Sequence, residues 1–312
     1  MYQSYCGIDF GTTNSAVSVV TQGKTPELIR FGKGKETIPT AIFFPEENTY
    51  CPTFGDEAVA QYINGAVGRF MRSLKRILGT DLMDMKTEVN DVRLSYEDII
   101  LRFLKYLKET AEKQIGKKLD SVVLGRPVHF QDFAPDSDAK AEAVLRKIAV
   151  NAGFKEISFQ YEPLAAAFAH ETRLRHEQLA CVIDIGGGTS DFSVIRLSPQ
   201  KRNSQNRKKD ILANAGIRIG GNDFDRDLSV RGFMPGLGYG TMLKPNPYNG
   251  RILPVPFSPY VTLSEWSSIN SLYAYKEKEA VRKLYEESAE PDKVGVLYEI
   301  IKKNWDTHFL IK

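Results

Sequence analysis

The sequence predicts an α/β protein of two similarly built halves, with mixed sheets flanked by helices. Three observations lead there. A strand-turn-strand unit, Cys6-Gly-Ile-Asp-Phe-Gly-Thr-Thr-Asn-Ser-Ala-Val-Ser-Val-Val20, returns without a gap as Cys181-Val-Ile-Asp-Ile-Gly-Gly-Gly-Thr-Ser-Asp-Phe-Ser-Val-Ile195. The alignment sets Asp9 on Asp184, Gly11 on Gly186, Ser18 on Ser193 and Val19 on Val194. Between the copies, extended and helical apolar patterns alternate, as they do where strands and helices share a core.

In each copy an aspartate follows a β-rich run and glycine opens the turn. Gly186 to Gly188 can take positive φ without a Cβ clash, and three successive bare N–H groups can close on an anion. A single glycine turn is usually only a turn, so the repetition is what makes this pair a candidate site. Two such turns across a cleft would offer two carboxylates and two sets of N–H donors to one polyphosphate. Mg²⁺ suits that chemistry, because it keeps most of its waters and needs only one or two carboxylates plus substrate phosphates.

After the first hairpin, short strands are expected over 27–31 and 40–44, so the first sheet begins antiparallel. The chain turns helical from Phe54, and Arg69 to Gly79 reads as a basic helix end or solvated loop. Ser95-Tyr-Glu-Asp98 is a capping box for an amphipathic helix through Ile100, Phe103, Leu104, Leu107 and Ala111, stopped at Gly116. Ser121 to Val128 is a buried strand with Pro127 at its end. A helix over 137–152 should turn Val144, Leu145, Ile148 and Ala149 inward, with Gly153 as its stop. A strand over 157–161 then delivers Glu162 to a helix start, where Pro163 fits the first turn. That junction is where binding side chains gather in α/β folds, although a carboxylate there also suits the helix dipole alone.

Lys201 to Lys209 reads as a solvated hairpin tip. A strand over 211–219 leads to Gly220-Gly-Asn-Asp-Phe-Asp225, which opens a helix with Asn222 or Asp223 as cap, a third glycine-rich entry to a helix N-terminus. Residues 236–259 give no periodic signal, and 263–310 look helical with a break at Pro291.

The chain has 312 residues, 42% hydrophobic and 26% charged, the make-up of an ordinary globular protein of about two domains. A net charge of +3 does not call for nucleic acid or an anionic membrane, and no apolar run is long enough to span one. The three cysteines lack metal spacing; Cys6 and Cys181 are expected in buried strands, as reduced thiols of a cytoplasmic protein. The four histidines, His129, His170, His176 and His308, show no zinc spacing, and there is no Walker-type P-loop.

Five motifs in order, Gly7-Ile-Asp-Phe-Gly-Thr-Thr-Asn-Ser15, Val123-Leu-Gly-Arg-Pro-Val128, Tyr161-Glu-Pro-Leu-Ala-Ala-Ala167, Asp184-Ile-Gly-Gly-Gly-Thr-Ser-Asp191 and Ile219-Gly-Gly-Asn-Asp-Phe-Asp225, resemble the nucleotide-binding domain of the DnaK-type, 70-kDa heat-shock chaperone family, with a likeness to its shorter YegD-type branch. The resemblance implies the duplicated actin-like ATPase (ribonuclease-H-like) fold, with lobe I over 1–175 and part of lobe II over 176–312. It implies ATP or ADP with Mg²⁺ as ligands and ATP hydrolysis as the reaction. By resemblance, Asp9, Glu162 and Asp184 serve the metal and its waters; Gly11, Thr12, Thr13, Asn14, Gly186, Gly187, Gly188 and Thr189 grip phosphates; Gly220 and Gly221 lie beside the ribose and phosphates. Lys75, Asp184 and Thr189 are the implied catalytic set, and Pro127 with Glu162 belongs to the relay between nucleotide state and lobe rotation.

The likeness fades over 236–312, and no second Gly-Gly pair follows Gly221, so the family's adenosine motif, lobe-closing helix, linker and peptide-binding domain are not recognised. Nucleotide binding is therefore expected to be weak and directed at the phosphates. The implied partners are nucleotide and, through other regions, unfolded clients or co-chaperones, with no nucleic acid and no membrane. Two rivals are an actin- or MreB-like filament former, revealed by nucleotide-linked polymerisation, and a nucleotide-binding module without turnover.

Overall fold

A computed structural model describes residues 4–21, 25–90, 92–131, 135–202, 204, 206–265 and 268–303. It divides into two units, 1–220 and 221–312.

In the first unit, β1 (Ser4–Phe10) and β2 (Asn14–Thr21) form the antiparallel hairpin that the first repeat predicts. β1 also pairs in parallel with β3 (Ser121–Arg126), which pairs in parallel with β4 (Glu156–Tyr161). The sheet order is β4-β3-β1-β2, closed at its far edge by the two residues Glu27–Leu28, with Thr37–Pro39 also on β2. The parallel crossovers run through helices. Ser95 caps α1 (Tyr96–Ile115), its Oγ accepting the Asp98 N–H at 3.0 Å, and Gly116 ends it at φ 68°. α2 (Pro135–Asn151) follows β3, and Gly153 adopts φ 94° just beyond it.

Alternation then decides the core. Cys6, Ile8 and Phe10 of β1 and Leu124 of β3 pack with Ile100, Phe103, Leu104 and Leu107 of α1 and Leu145, Ile148 and Ala149 of α2. Each fully buried aliphatic side chain of this kind contributes about 1.5–3 kcal/mol of transfer free energy.

The second repeat forms β5 (Gln178–Ile185) and β6 (Ser190–Leu197), to which β7 (Ile211–Ile217) adds in an antiparallel three-stranded sheet. One face lies on α3 (Glu162–Glu171), where Leu164 and Ala167 meet Ile195 and Leu197. The other face, Leu179, Cys181, Ile183 and Ile185 on β5, is exposed. Cys181 is therefore not a buried thiol; the strand is as predicted, but no described residue covers that side.

Three more expectations need correction. Residues 69–79 are not a solvated helix end: they form a strand over Gly68–Arg72 and a 3-10 turn over Leu74–Ile77, with Leu74, Lys75 and Ile77 buried. The basic run after β6 is not simply solvated. Arg207 donates to both oxygens of buried Glu171 and to Asp210 and lies over the Phe168 ring, while Lys201 also pairs with Asp210. The helix after Gly220 begins at Gly221, so Asn222 and Asp223 fall within its first turn rather than before it.

In the second unit, α4 (Gly221–Leu228) leads into α5 (Ser258–Leu263), α6 (Tyr275–Glu287) and α7 (Pro291–Lys302), and the last three pack around Met234, Leu237, Tyr260, Leu284, Val294 and Leu297. Pro291 starts a helix, as first-turn prolines do. The expected helical tail beyond residue 303 lies outside the described residues. No described helix is long and apolar enough to cross a membrane.

Candidate functional site

The two predicted turns come together inside the first unit. A Cβ placed on Gly187 would stand 2.4 Å from Thr13 Cγ2, and one on Gly188 would stand 2.6 Å from Thr12 Oγ1. Gly220 backs the second turn, its Cβ position lying 2.6 Å from the Gly186 carbonyl oxygen. Gly11 closes the first turn so tightly that a Cβ would meet the Asn14 carbonyl oxygen at 2.1 Å. Gly11, Gly187, Gly188 and Gly220 are thus required by close approach, whereas a Cβ on Gly186 would meet nothing nearer than the Thr189 carbonyl oxygen at 3.5 Å. None of Gly186, Gly187 and Gly188 has positive φ, which corrects the conformational reason given above.

Both aspartates end strands at this point, Asp9 in register with Ala16 and Asp184 with Asp191. The Lys75 ammonium, close enough to act on both carboxylates, lies 2.5 Å from Glu162 Oε1; the side chains are 6% and 17% exposed. Lys75 arrives on the 3-10 turn whose preceding residue, Ser73, is buried and left-handed at φ 59°. Holding a non-glycine residue there costs on the order of 1 kcal/mol and needs surrounding support. Gln131 supplies some of it, donating to the Leu78 carbonyl at 2.8 Å, and Arg218 donates to the Arg76 carbonyl and to Gln131 Oε1. Glu162 packs against β3, where Gly125 leaves only 3.2 Å between a notional Cβ and Glu162 Cγ.

The electrostatics follow from crowding acids around one cation. Burial, then Glu162 and Asp184, push Asp9 up to about 6 against the opposing pull of Lys75. Asp184 is raised by burial and by Glu162. Asp191, which the motif reading left without a role, is buried and pushed up to about 6 by burial, although its carboxylate accepts the Val128 N–H at 2.7 Å. That bond ties the second hairpin to the chain just after Pro127. Its signal in the sequence is an acid on β6 at the position opposite Asp184.

Among the described residues no three His, Cys, Asp or Glu side chains are grouped as a direct metal shell. The surplus of buried carboxylates over cations nevertheless fits a hard divalent ion held largely through water, which would relieve their mutual repulsion. Asn14 is exposed beside the first turn, 3.5 Å from Thr13 Oγ1, and Thr189 closes the second by accepting the Gly186 N–H at its carbonyl, 2.9 Å away. Gly221 begins the second unit.

A family model described as Hsp70 protein matches residues 5–231. The chaperone protein DnaK of Mycoplasma mobile is 31% identical over 224 residues, 71% of this chain and 33% of that protein. DnaK of Mycoplasmopsis agalactiae is 32% identical over 71% of this chain and 34% of its own length; DnaK of Ureaplasma parvum is 33% identical over 70% and 33%. The chain therefore spans about a third of the length of these curated relatives.

Proposed function

Because this chain belongs to the Hsp70 family, with its actin-like ATPase fold, we propose that it binds ATP with Mg²⁺ between its two glycine turns and hydrolyses the terminal phosphate, as the nucleotide-binding domain of a DnaK-like chaperone. The observation behind this reading is the meeting of Gly187 and Gly188 with Thr13 and Thr12 in front of the Lys75–Glu162 pair.

In this reading, Gly11, Thr12, Thr13 and Asn14 on one side and Gly186, Gly187, Gly188 and Thr189 on the other hold the phosphates through backbone N–H groups and hydroxyls. Gly220 and Gly221 flank the ribose. Asp9, Glu162 and Asp184 would serve a bound Mg²⁺ and its waters, and the chemistry the ion would supply is neutralisation of charge on the phosphate oxygens. Asp184 orients the attacking water. Lys75, fixed by Glu162 and by the strained turn at Ser73, adds a positioned cation where charge grows in the transition state. Such a domain would work in the cytoplasm, its lobes, divided near residue 175, moving with nucleotide state; unfolded clients and co-chaperones would engage other parts of a longer protein.

Single-turnover hydrolysis tests the assignment. Asp184→Asn should fold normally and lose Mg²⁺-dependent hydrolysis. Lys75→Ala should slow hydrolysis by about 10²–10³-fold while affinity falls far less, since removing one preorganised charge partner typically costs that much. Unchanged rates in both variants would sink this reading.

A further inference from the structure

A lysine ammonium ends a flexible four-carbon stem, so a lysine that must meet one phosphate oxygen has to be held at its backbone as well as at its head. The head of Lys75 is held by Glu162. The backbone around it closes on itself only in part: the carbonyls of Ser73, Lys75 and Ile77 accept the N–H groups of Arg76, Leu78 and Thr80. The carbonyls of Arg76 and Leu78 are taken from outside. Arg218 donates from one Nη to the Arg76 carbonyl and from the other to Gln131 Oε1 at 3.1 Å, and Gln131 donates in turn to the Leu78 carbonyl at 2.8 Å. Gly79 admits this bridge, since a Cβ there would stand 3.1 Å from Gln131 Cγ.

The other end of the bridge is the second glycine turn. Arg218 follows β7, and the two residues after it bear on that turn. Ser190 Oγ, at the exit of the turn, donates to the Ile219 carbonyl at 2.7 Å, and the Cβ position of Gly220 lies 2.7 Å from the Gly188 nitrogen. We propose, on the reading of Lys75 as the cation that serves the transferred phosphate, that Arg218 with Gln131 sets Lys75 in place relative to the second glycine turn, as a positioning residue for the reaction. Arginine suits the task because its planar fork reaches two acceptors in fixed geometry and stays charged at any working pH. Arg218 shortens the path between Lys75 and the N–H groups of Gly187 and Gly188 to one side chain and a few residues of backbone.

Acylation of the ligand-free 312-residue chain with acetic anhydride, read lysine by lysine by mass spectrometry, tests this placement without turnover. Lys75 and Lys108 are 6% and 7% exposed, so both should react slowly; Lys108, paired with Glu112 on α1, reports general loosening. Arg218→Met keeps the stem and removes the fork. Lys75 should then react at least about tenfold faster, as when a charge-assisted hydrogen bond no longer opposes local opening, while Lys108 stays within about twofold. Gln131→Ala should raise the Lys75 rate less, since the Arg76 carbonyl keeps its donor. Arg218→Lys, which can reach one acceptor but not two, should recover part of the protection. In steady-state ATP hydrolysis, Arg218→Met should lower kcat about 10–100-fold and leave KM within about threefold, because a misplacement of about 1 Å costs rate before it costs binding. A Lys75 rate unchanged in Arg218→Met, a Lys108 rate that rises with it, or a loss carried by KM alone would each overturn the proposal. A wild-type chain that hydrolyses no ATP would instead remove the proposed function, and the acylation pattern alone would then decide whether Arg218 places Lys75.

Discussion

The two hairpins share a turn and an alignment but have opposite surroundings. Ile8 aligns with Ile183 and Phe10 with Ile185, yet the first pair is 1% and 0% exposed and the second 60% and 61%. On β1 that face meets α1 and α2, while the face carrying Gly7 and Asp9 is turned towards the site. On β5 the helix α3 lies on the opposite face, and the one equivalent to the first core is open. The same motif is thus anchored from behind in one half and held from a single side in the other. What a turn can bind is set by its own residues; how firmly it is held is set by what packs beneath it.

The strongest way to break this comparison is to truncate aligned residues. Ile8→Ala should cost about 3–4 kcal/mol in denaturant unfolding, as buried isoleucines do, whereas Ile183→Ala should stay within about 0.5 kcal/mol. Equal losses would show that the face on β5 is covered after all.

Next in size is Arg207→Ala, which leaves Glu171 and Asp210 short of a partner and should cost about 3 kcal/mol. Burial opposes the ionisation of Glu171, but hydrogen bonds from Arg207 and the Ser198 N–H outweigh it and hold the carboxyl below its ordinary 4.5. Lys201, and Arg207 after it, hold Asp210 below 3.8. Groups with depressed folded values stabilise fully above their unfolded ones, so the penalty should be complete above about pH 4.5 and shrink as pH falls through the folded values. A penalty that grows on acidification would contradict this network.

Ligand binding sharpens the comparison at a smaller scale. If the paired turns provide most of the grip, ATP and tripolyphosphate should bind within about tenfold of one another, or 1.4 kcal/mol, by calorimetry. A larger preference for ATP would show that the paired turns do not provide most of the grip. Smallest is Gly7→Ala, whose Cβ would meet Ser18 Oγ at 2.7 Å. The hydroxyl can rotate aside, so the loss should be under about 1 kcal/mol, readable as a shift in melting temperature.

What could be read in advance was local. The Ser95 cap, the Gly116 stop, the Pro163 helix start and both glycine turns are set by near neighbours in sequence, and each appears where expected. The exposure of Cys181 was not legible, because alternation shows which residues share a face but not whether anything covers it. Arg207 looked solvated because its partners, Glu171 and Asp210, lie on either side of a hairpin and charge counts do not pair residues. In the site, the meeting of the turns follows from the repeat. The burial of Lys75 does not, since it depends on Gln131 and Arg218, each more than fifty residues away.

Cys6 and Cys181 occupy the same position in the two repeats, and they divide one chemistry between two clocks. Burial pushes the Cys6 thiol up to about 12 and leaves it 1% exposed, so an alkylating reagent reaches a thiolate there only when the first core opens. Cys181 is exposed and labels from the folded state. In a Cys51→Ser background, which removes the other exposed thiol, the slow phase of alkylation therefore counts openings of the first hairpin, with the fast phase from its repeat as an internal reference on the same molecule.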